Sequence, residues 1–536
     1  MPESVTFPHN EEAEMDDPKG RILWVDDEIE LLRPHIRLLK ERGYVVDTAS
    51  NAEDAVTMVR QTGFDLVFLD EMMPGRGGLE ALSEIKELRP GVPVVMVTKN
   101  EEESLMEEAI GSKINDYLVK PVNPSQVLAA CKKFLEKKKI TGAAVSKDYI
   151  QEFNAIGSLL QTEPGYLEWI DIYTRLVGWS LEMDDHPELG LKQTLLDQFR
   201  ECNLAFGKYV ERNYRDWMEQ SSNRPILSLE VVDKFLIPEL QTSRSVIFFV
   251  IDCLRLDQWM MMEGVLQESF NVTKDFYFSI LPTATPYSRN AIFSGSYPSD
   301  LELRFPELWE KIEDDENSRN RFERQFLDKL LERRHIVIKP EAKYVKILDA
   351  EFGRGVESNI ATFAQSKLSS VVVNFVDMLA HGRSDSTILK EIAPDESAYR
   401  SLTKSWFVHS SLFGMLQTLS RLPNVTVILT TDHGSIRSLR GAKVFGDREA
   451  STNLRYKYGR NLKCEERSAI FVKNPLDFKL PRRGVAGNYI IAKEDYFFVY
   501  PTDYHKYLNQ YRDSFQHGGV SMEEMILPVV KLTPKT

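Results

Sequence analysis

The sequence predicts an α/β protein with two parallel β-sheets, one in each half of the chain, separated by a helical segment. Three observations support this prediction. Short apolar segments alternate with amphipathic stretches of helical length between residues 20 and 138. Longer apolar runs that end in aspartate follow after residue 244, and the region between the two is nearly free of strand-like segments. Strands alternating with helices of this length are typical of parallel sheets.

Length and composition limit the number of domains and the class of partner. The chain has 536 residues and a net charge of −14, and its pI is near 5.4. This length corresponds to about two to four domains, and the acidity excludes a broad basic surface for nucleic acid. Hydrophobic residues make up 42% and charged residues 28%, as in ordinary globular proteins. The four cysteines form no CxxC pair, so no disulfide framework or cysteine-rich zinc site is indicated.

The amino-terminal residues and the longest apolar runs bear on localisation. Residues 1–19 are polar and acidic, and we predict a disordered tail there. They lack the basic start and apolar core of a signal peptide. The longest apolar runs, such as 246–251, are far too short to cross a bilayer. We therefore expect a cytoplasmic protein without membrane insertion.

The first predicted domain covers residues 20–138. Its predicted strands are ILWV, LVFL, VVMV and YLV, and its predicted helices are 28–42, 52–62, 101–110 and 124–138. Ligands bind at the carboxyl ends of the strands in an open parallel sheet. The polar residues that follow each predicted strand are therefore the candidate site of this domain.

Residues 139–243 are predicted to form a small helical bundle. Apolar side chains recur there at helical spacing, as in Tyr166, Trp169 and Tyr173 and again in Leu191 and Leu195. We interpret the segment as a connecting and spacing module. Its Trp and Met side chains are expected to belong to its core.

The last predicted domain covers residues 244–536. The runs SVIFFVID, VVVNFVD and VTVILTTD are continuous, as expected for strands buried on both faces of a parallel sheet. Residues 300–360 and 435–485 are charged and irregular, and we expect insertions or surface loops there. The run ILPVV near residue 530 predicts a final strand.

The first candidate site gathers the polar residues at the ends of its strands: Asp26, Asp27, Asp70, Thr98 and Lys120. Three carboxylates in a small site repel one another, and a hard cation such as Mg²⁺ relieves that repulsion. Asp70 is then able to attack phosphorus and form an acyl phosphate. Thr98 is placed to hydrogen-bond the phosphoryl group, and Lys120 to balance its charge.

This set resembles the receiver domain of response regulators, a flavodoxin-like parallel α/β sheet. The resemblance lies in VDD, FLDEMMPGRGG, MVT and YLVKP, over about 120 residues. It implies that Asp70 accepts phosphate from a sensor histidine kinase. It also implies that Asp27, Asp70 and the backbone carbonyl of Met72 hold Mg²⁺, and that Tyr117 is the switch aromatic. The alternative, an acidic patch on an ordinary sheet, requires all five residues by chance.

The second candidate site combines aspartates and histidines. Its members follow the long apolar runs or lie near the carboxyl terminus: Asp252, Asp377, His381, Asp432, His433 and His517. Such a set suits zinc, and charges this dense are costly to bury without a cation.

A nucleophile is predicted in the segment LPTATPYSRN. Thr285 precedes Pro286, and threonine followed by proline favours the start of a helix, where backbone N–H groups attract phosphate. A metal ion is able to hold the hydroxyl as the alkoxide. Arg289, four residues on, shares its helix face and is predicted to reach a phosphate oxygen. Thr283 is the rival nucleophile.

The ordered set resembles the alkaline phosphatase superfamily, an α/β sandwich with a parallel central sheet, and within it the PglZ branch. The resemblance implies two Zn²⁺ ions, one held by Asp377, His381 and His517. It assigns Asp252, Asp432 and His433 to the other and makes Thr285 the nucleophile, with a phospho-threonine intermediate. The TATP loop favours diesters over monoesters. No role is assigned to three further histidines, His335, His409 and His505.

A receiver domain, a helical spacer and a PglZ domain together resemble the family of PorX-type response regulators. The family implies phosphodiesterase action on cyclic or linear oligonucleotides and regulation of type IX secretion. It also implies a sigma factor as partner and homodimerisation promoted by phosphorylation. The alternative function is a catalytically silent scaffold, which binds metal and nucleotide and acts by contacting a sigma factor or a secretion component.

Overall fold

The computed structural model describes residues 19–99, 114–219, 222–309, 320–447, 451, 453–482 and 487–535. The chain forms two compact units, residues 1–150 and 151–536. The predicted tail at residues 1–19 lies almost wholly outside the described residues, and the predicted helix 101–110 lies outside them entirely.

The first unit is built on a five-stranded parallel sheet. Its strands are β1 (Arg21–Val25), β2 (Val45–Ala49), β3 (Leu66–Asp70), β4 (Val94–Thr98) and β5 (Asp116–Val119). Their order in the sheet is β2-β1-β3-β4-β5. Its described helices are α1 (Arg33–Glu41), α2 (Ala52–Gln61), α3 (Gly78–Leu88) and α4 (Pro124–Cys131). Apolar clusters lie on both faces of the sheet, which confirms the predicted α/β fold.

Two details of this unit differ from the prediction. The stretch 28–42 is not one helix, because a short 3₁₀ turn (Ile29–Leu32) precedes α1 and Pro34 lies in the first turn of α1. Strand β2 was not predicted. It lies at the edge of the sheet, where half-exposed positions break the apolar run that marks β1 and β3.

The segment between the two large sheets is helical, as predicted. Its helices are α5 (Lys137–Leu160), α6 (Tyr166–Asp185), α7 (Lys192–Glu219) and α8 (Ile237–Thr242). Trp169 and Trp217 are buried, as expected for core side chains. They lie in an aromatic cluster with Phe206 and with Phe278, which belongs to the large sheet domain. Helices α6 and α7 therefore pack within the second unit.

The second unit contains a six-stranded sheet and three smaller ones. Its strands are β6 (Ser245–Ile251), β7 (Phe270–Phe278), β8 (Lys343–Ile347), β9 (Leu368–Val373), β10 (Val425–Thr430), β11 (Ile436–Ser438), β12 (Arg440–Lys443), β13 (Tyr456–Gly459), β14 (Ala469–Val472), β15 (Asn488–Ala492), β16 (Tyr496–Val499), β17 (Ser514–Gln516) and β18 (Ile526–Pro534). The large sheet has the order β7-β18-β10-β6-β9-β8.

The large sheet is parallel only in part. Strands β10, β6, β9 and β8 are parallel, and all positions of β6, β9 and β10 are buried, as the continuous apolar runs predicted. The final strand β18 is antiparallel to β10, and β7 is antiparallel to β18. The sheet is therefore mixed, with a parallel portion that carries the candidate site.

The helices of the second unit after β6 surround these sheets. They are α9 (Leu256–Leu266), α10 (Thr285–Ser294), α11 (Pro298–Arg304), α12 (Pro306–Trp309), α13 (Glu323–Arg333), α14 (Ala350–Phe363), α15 (Phe375–Asp385), α16 (Thr387–Ile392), α17 (Glu396–Val408), α18 (Ser411–Leu419), α19 (Tyr504–Tyr511) and α20 (Met522–Met525). Within the described residues, none of the helices is both long enough and apolar enough to span a membrane.

The regions predicted to be insertions contain regular structure. Residues 300–360 include α13, whose Phe326, Leu327 and Leu330 pack in the main core, and β8, an edge strand of the large sheet. Residues 435–485 include four short strands, β11 to β14. These elements were not predicted because a helix or edge strand with one solvent-exposed, charged face has no continuous apolar run.

Candidate functional site

The first unit gathers the predicted polar residues at the carboxyl edge of its sheet. Asp26, Asp27 and Asp70 each offer an oxygen within 4.8 Å of the others. The Lys120 ammonium lies 2.8 Å from Asp26 Oδ2 and 2.9 Å from Asp70 Oδ2. Thr98 ends β4 next to β3 and is buried. The structure thus brings together all five residues.

Burial and charge crowding act on Asp70. Burial raises the pKa of Asp70 above its usual value, and the charge of Asp26 adds to this, although Lys120 opposes both. The backbone of Met72 also acts against this rise in the pKa of Asp70, and the Met72 side chain is exposed. The side chain of Tyr117, the residue at the switch position, is 42% exposed. A divalent cation would relieve this carboxylate crowding.

The second candidate site forms where β6, β10, α15 and β17 end or begin. Asp252 directly follows β6, Asp432 lies two residues after β10, and His517 directly follows β17. The sequence pattern predicted that Asp377 ends a strand, and this prediction is wrong. Strand β9 stops at Val373, and Asp377 lies in the first turn of α15. His381 lies one turn further on the same helix, so both side chains share a face.

Asp377, His381 and His517 form the outer set of this site. Asp377 Oδ1 lies 3.3 Å from His381 Nε2 and 3.6 Å from His517 Nε2. Burial raises the pKa of Asp377, but hydrogen bonding to His381 and the nearby histidine charges outweigh it and hold that pKa below its usual range. His381 is half-exposed, so this set opens toward solvent.

Asp252, Asp432 and His433 form the inner set, which is fully buried. His433 Nε2 lies 3.6 Å from Asp252 Oδ1 and 3.7 Å from Asp432 Oδ2. The other ring nitrogen, Nδ1, is 3.0 Å from the Gly434 carbonyl. An N–H at Nδ1 that donates to this carbonyl leaves Nε2 as the electron-pair donor facing the carboxylates. The His433 and His517 rings stack with centroids 4.2 Å apart, so the two sets adjoin.

Thr285 lies against the inner set. Its Oγ1 is 3.0 Å from His433 Nε2 and 3.4 Å from Asp252 Oδ1. Thr285 is the first residue of α10 and not the N-cap, which is Ala284, and Pro286 follows in the first turn.

The rival Thr283 has a different environment. Its hydroxyl donates to the Gly519 carbonyl at 2.8 Å and accepts from the Gly518 N–H at 3.1 Å. These bonds hold the loop after His517. Of the two threonines, only Thr285 is within hydrogen-bonding distance of the inner set.

Arg289 faces carboxylates rather than an open pocket. Its NH1 group donates to Asp252 Oδ2 at 2.8 Å, and its Nε lies 2.7 Å from Glu323 Oε1. Burial alone would lower the pKa of Arg289, but the Asp252 and Glu323 carboxylates raise it above its usual value. The predicted reach of Arg289 toward a phosphate oxygen therefore differs from the observed geometry.

The donor sets fit zinc. Each set offers one atom per residue, and within each set these atoms lie within 4.8 Å of one another. Carboxylate oxygen and imidazole nitrogen are zinc donors. Asp432 Oδ2 is buried and accepts no hydrogen bond from any residue that the structure describes. Burial and the charge of Asp252 raise the pKa of Asp432 well above its ordinary value. A cation at the inner set would satisfy that oxygen and offset the repulsion.

Glu323 is the site residue that the sequence did not predict. It is completely buried and lies 2.7 Å from Arg289. The sequence feature that could have indicated it is a charged residue at the start of the apolar face of α13, in a region predicted to be irregular. The three histidines without an assigned role, His335, His409 and His505, belong to none of the metal-donor groups found among the described residues.

Three family models match the chain. The BREX system PglZ alkaline phosphatase-like domain matches residues 231–532, which is more than half of the chain. The response regulator receiver domain matches residues 22–132, and the PorX response regulator linker domain matches residues 139–218.

Curated proteins and solved structures match the first domain. The alginate biosynthesis transcriptional regulatory protein AlgB of Pseudomonas putida is 38% identical over 125 residues, which are 23% of this chain and 28% of that protein. The transcriptional regulatory protein ResD of Bacillus subtilis is 33% identical over 121 residues, 23% of this chain and 50% of that protein. The chain thus spans half or less of these relatives. A CheY-like receiver domain protein from Methanospirillum hungatei is 31% identical, with a TM-score of 0.21 over 22% of this chain and 94% of that one.

Proposed function

The chain belongs to the PorX-type response regulators, which join a receiver domain to a PglZ domain, and from this premise we propose a two-component regulator with a phosphodiesterase as its output. Asp70 accepts phosphate from a sensor histidine kinase, and the PglZ domain hydrolyses phosphodiesters with zinc. The observation that carries the enzymatic part is the Thr285 hydroxyl, 3.0 Å from His433 and 3.4 Å from Asp252.

Six side chains would hold two zinc ions in this proposal. The outer set, Asp377, His381 and His517, would hold one ion. The inner set, Asp252, Asp432 and His433, would hold the other. Bound zinc supplies Lewis acidity, which lowers the pKa of a neighbouring hydroxyl and offsets charge on phosphate oxygens.

The side chains of the chain define the course of the reaction. Thr285 Oγ1 gives up its proton to solvent and attacks phosphorus, so that an Oγ1–P bond forms. The bond from phosphorus to the leaving oxygen breaks, and that oxygen takes up a proton and departs as an alcohol. The product is a phospho-threonine, which water then hydrolyses to restore the hydroxyl. The Gly434 carbonyl fixes the His433 ring, and Arg289 fixes Asp252, so the groups around Oγ1 are held in place before substrate arrives.

The substrate and partners in this proposal rest on family membership. We propose cyclic or linear oligonucleotides as the diester substrates and the regulation of type IX secretion as the cellular role. A sigma factor is the proposed partner, and phosphorylation promotes a homodimer. Magnesium in the receiver domain would be held by Asp27, Asp70 and the Met72 carbonyl. The acidic site of that domain supports the cation, since Asp26, Asp27 and Asp70 converge within 4.8 Å.

Removal of metal is expected to abolish diester hydrolysis. The zinc-loaded protein should hydrolyse bis(p-nitrophenyl) phosphate. This activity should be lost after treatment with a chelator and restored by zinc, because a neutral threonine hydroxyl is a weak nucleophile unaided. Absorbance of p-nitrophenolate measures the rate, and metal analysis measures zinc.

Two outcomes of this assay separate the enzyme from the scaffold. Two bound zinc ions without turnover of the diester or of linear dinucleotides, before and after phosphorylation, would contradict the enzymatic proposal. Such a protein would be a binding scaffold that contacts a sigma factor or a secretion component.

Asp70→Asn is expected to abolish labelling by acetyl phosphate in the presence of Mg²⁺. The amide that replaces the carboxylate cannot form the acyl phosphate. The matched control is Asp54→Asn, an exposed carboxylate on α2, which should label as the wild type does. Intact-mass spectrometry of the phosphorylated chain gives the measurement, and equal labelling of Asp70→Asn would remove this residue as the acceptor.

A further inference from the structure

The geometry points to Arg289 and Glu323 as a positioning pair for the inner zinc set. Glu323 lies outside both Asp/His sets, and this inference gives it a role that rests on the proposed zinc site. Its carboxylate holds the Arg289 guanidinium back from the oxygen of Asp432 that zinc requires, while that guanidinium fixes the orientation of Asp252.

The two oxygens of Asp252 have separate contacts. Oδ2 accepts from Arg289 NH1 at 2.8 Å. Oδ1 lies 3.4 Å from Thr285 Oγ1 and 3.6 Å from His433 Nε2. Arginine therefore occupies one oxygen and leaves the other facing the nucleophile and the imidazole. Such outer contacts orient metal-binding carboxylates.

The same guanidinium lies near a second zinc-binding carboxylate. Arg289 Nε is 3.8 Å from Asp432 Oδ2 but only 2.7 Å from Glu323 Oε1. Asp432 Oδ2 is buried and, like Glu323 Oε1, accepts no hydrogen bond from the described residues. If Glu323 lost its charge, Nε would keep the Asp432 carboxylate as an ion-pair partner at 3.8 Å, and the arginine would compete with zinc for that oxygen.

The surroundings of Glu323 fit this role. It is completely buried, and the Tyr344 hydroxyl donates to its Oε2. Lys346 Nζ is 3.9 Å away, and Arg289 and Lys346 are the cations paired with it among the described residues. A buried carboxylate is costly unless it is paired. The apolar side of α13 packs in the main core, so the backbone at Glu323 is fixed.

Helix α10 links this pair to the nucleophile. Thr285 and Arg289 lie one turn apart on it, and both contact Asp252, each at a different oxygen. A shift of Arg289 toward Asp432 would therefore also change the carboxylate that faces Thr285. The pair acts through other residues and touches no reacting atom, which makes it a positioning device.

Zinc affinity without substrate tests the inference. Glu323→Gln keeps the size of the side chain and removes the charge, and it should weaken one of the two zinc-binding steps about 10- to 100-fold in competition with a chromogenic chelator. The other step, at the outer set, should not change. Arg289→Gln/Glu323→Gln removes the competing guanidinium as well and should recover part of the lost affinity, because Asp252 still lacks the guanidinium that orients it.

Controls separate positioning from folding. Glu332→Gln, an exposed residue of the same helix that pairs with Lys329 at 3.1 Å, should bind both zinc ions as the wild type does. Wild-type affinity in Glu323→Gln, or a double variant as weak as Glu323→Gln, would overturn the inference. If Glu323→Gln fails to fold, the neutral double variant is compared directly with the wild type. Weaker binding at the inner step alone is expected there, because Asp252 has lost the guanidinium that orients it, and unchanged affinity overturns the inference. Zinc bound normally by a wild type without turnover would contradict only the proposed function.

Discussion

Thr285→Ala is expected to lower diester turnover by about 10³-fold or more while both zinc ions stay bound. The substitution removes the oxygen that forms the bond to phosphorus. It removes no carboxylate or imidazole from either metal set, because Thr285 contributes only a hydroxyl near His433 and Asp252. Alanine also suits the first turn of α10, so the helix should persist.

Two further variants make this result specific. Thr285→Ser keeps a hydroxyl on the same carbon and should retain turnover. Thr283→Ala should mainly lower stability, because the Thr283 hydroxyl holds the backbone of Gly518 and Gly519. Rates with bis(p-nitrophenyl) phosphate and zinc content are measured on each purified variant. Full turnover by Thr285→Ala, with Thr283→Ala folded, zinc-loaded and inactive, would reverse the two roles.

The local chemistry of both sites was predictable because strand ends converge. Asp26, Asp70 and Asp252 end or directly follow buried parallel strands, and such strands present their carboxyl ends at one edge. The pattern of apolar runs that end in aspartate was therefore enough to predict that these aspartates lie at the edge of a sheet. The helical character of the linker segment followed from its spacing in the same way.

Features set by tertiary packing were not predictable from the sequence. Asp377 reaches the site from a helix, although its sequence context is identical in kind to a strand that ends in Asp. Glu323 lies far from both sets in the chain, and only the packing of α13 brings it to Arg289. The antiparallel pairing of β18 depends on contacts with β10 and β7. Sequence patterns specify period and residue type, and these features depend on neighbours distant in sequence.

A buried charge network joins the linker helices to the loop that carries Asp252. Arg400 on α17 lies 3.2 Å from Asp184 of α6 and 3.2 Å from Asp257 of α9. Asp257 also accepts from Arg255 at 2.9 Å. Arg255 follows Asp252 by three residues. The network therefore begins on a linker helix and ends beside a metal-binding residue.

The network has a defined response to pH. Burial raises the pKa of Asp257, but Arg255 and Arg400 outweigh it and lower that pKa from 3.8 to about 2. A carboxylate whose pKa is lower in the folded state contributes stability above its unfolded value. That contribution is present above pH 3.8 and is lost as the pH falls toward 2.

Arg400→Met is expected to lower the free energy of unfolding by about 3–5 kcal/mol, because it leaves Asp184 without this partner. Buried Asp257 then keeps Arg255 as its cationic partner among the described residues. The matched control is Lys192→Met. Lys192 also joins a linker helix to α17, through Asp395 at 2.6 Å, but that pair is exposed and should contribute less than about 1 kcal/mol. Urea denaturation of the full chain followed by tryptophan fluorescence measures both, since six of the seven tryptophans follow residue 150.

The relation between these two variants decides what the network does. If equal, small losses were measured for Arg400→Met and Lys192→Met, the buried contacts would not hold the linker helices to the sheet domain. A large loss confined to Arg400→Met would show that α6 is held through Asp184. Since Arg255 and Asp252 share one short loop, Arg400→Met should then also change zinc binding at the inner set, whereas Lys192→Met should not. A stability loss without any change in zinc binding would limit the network to a structural role.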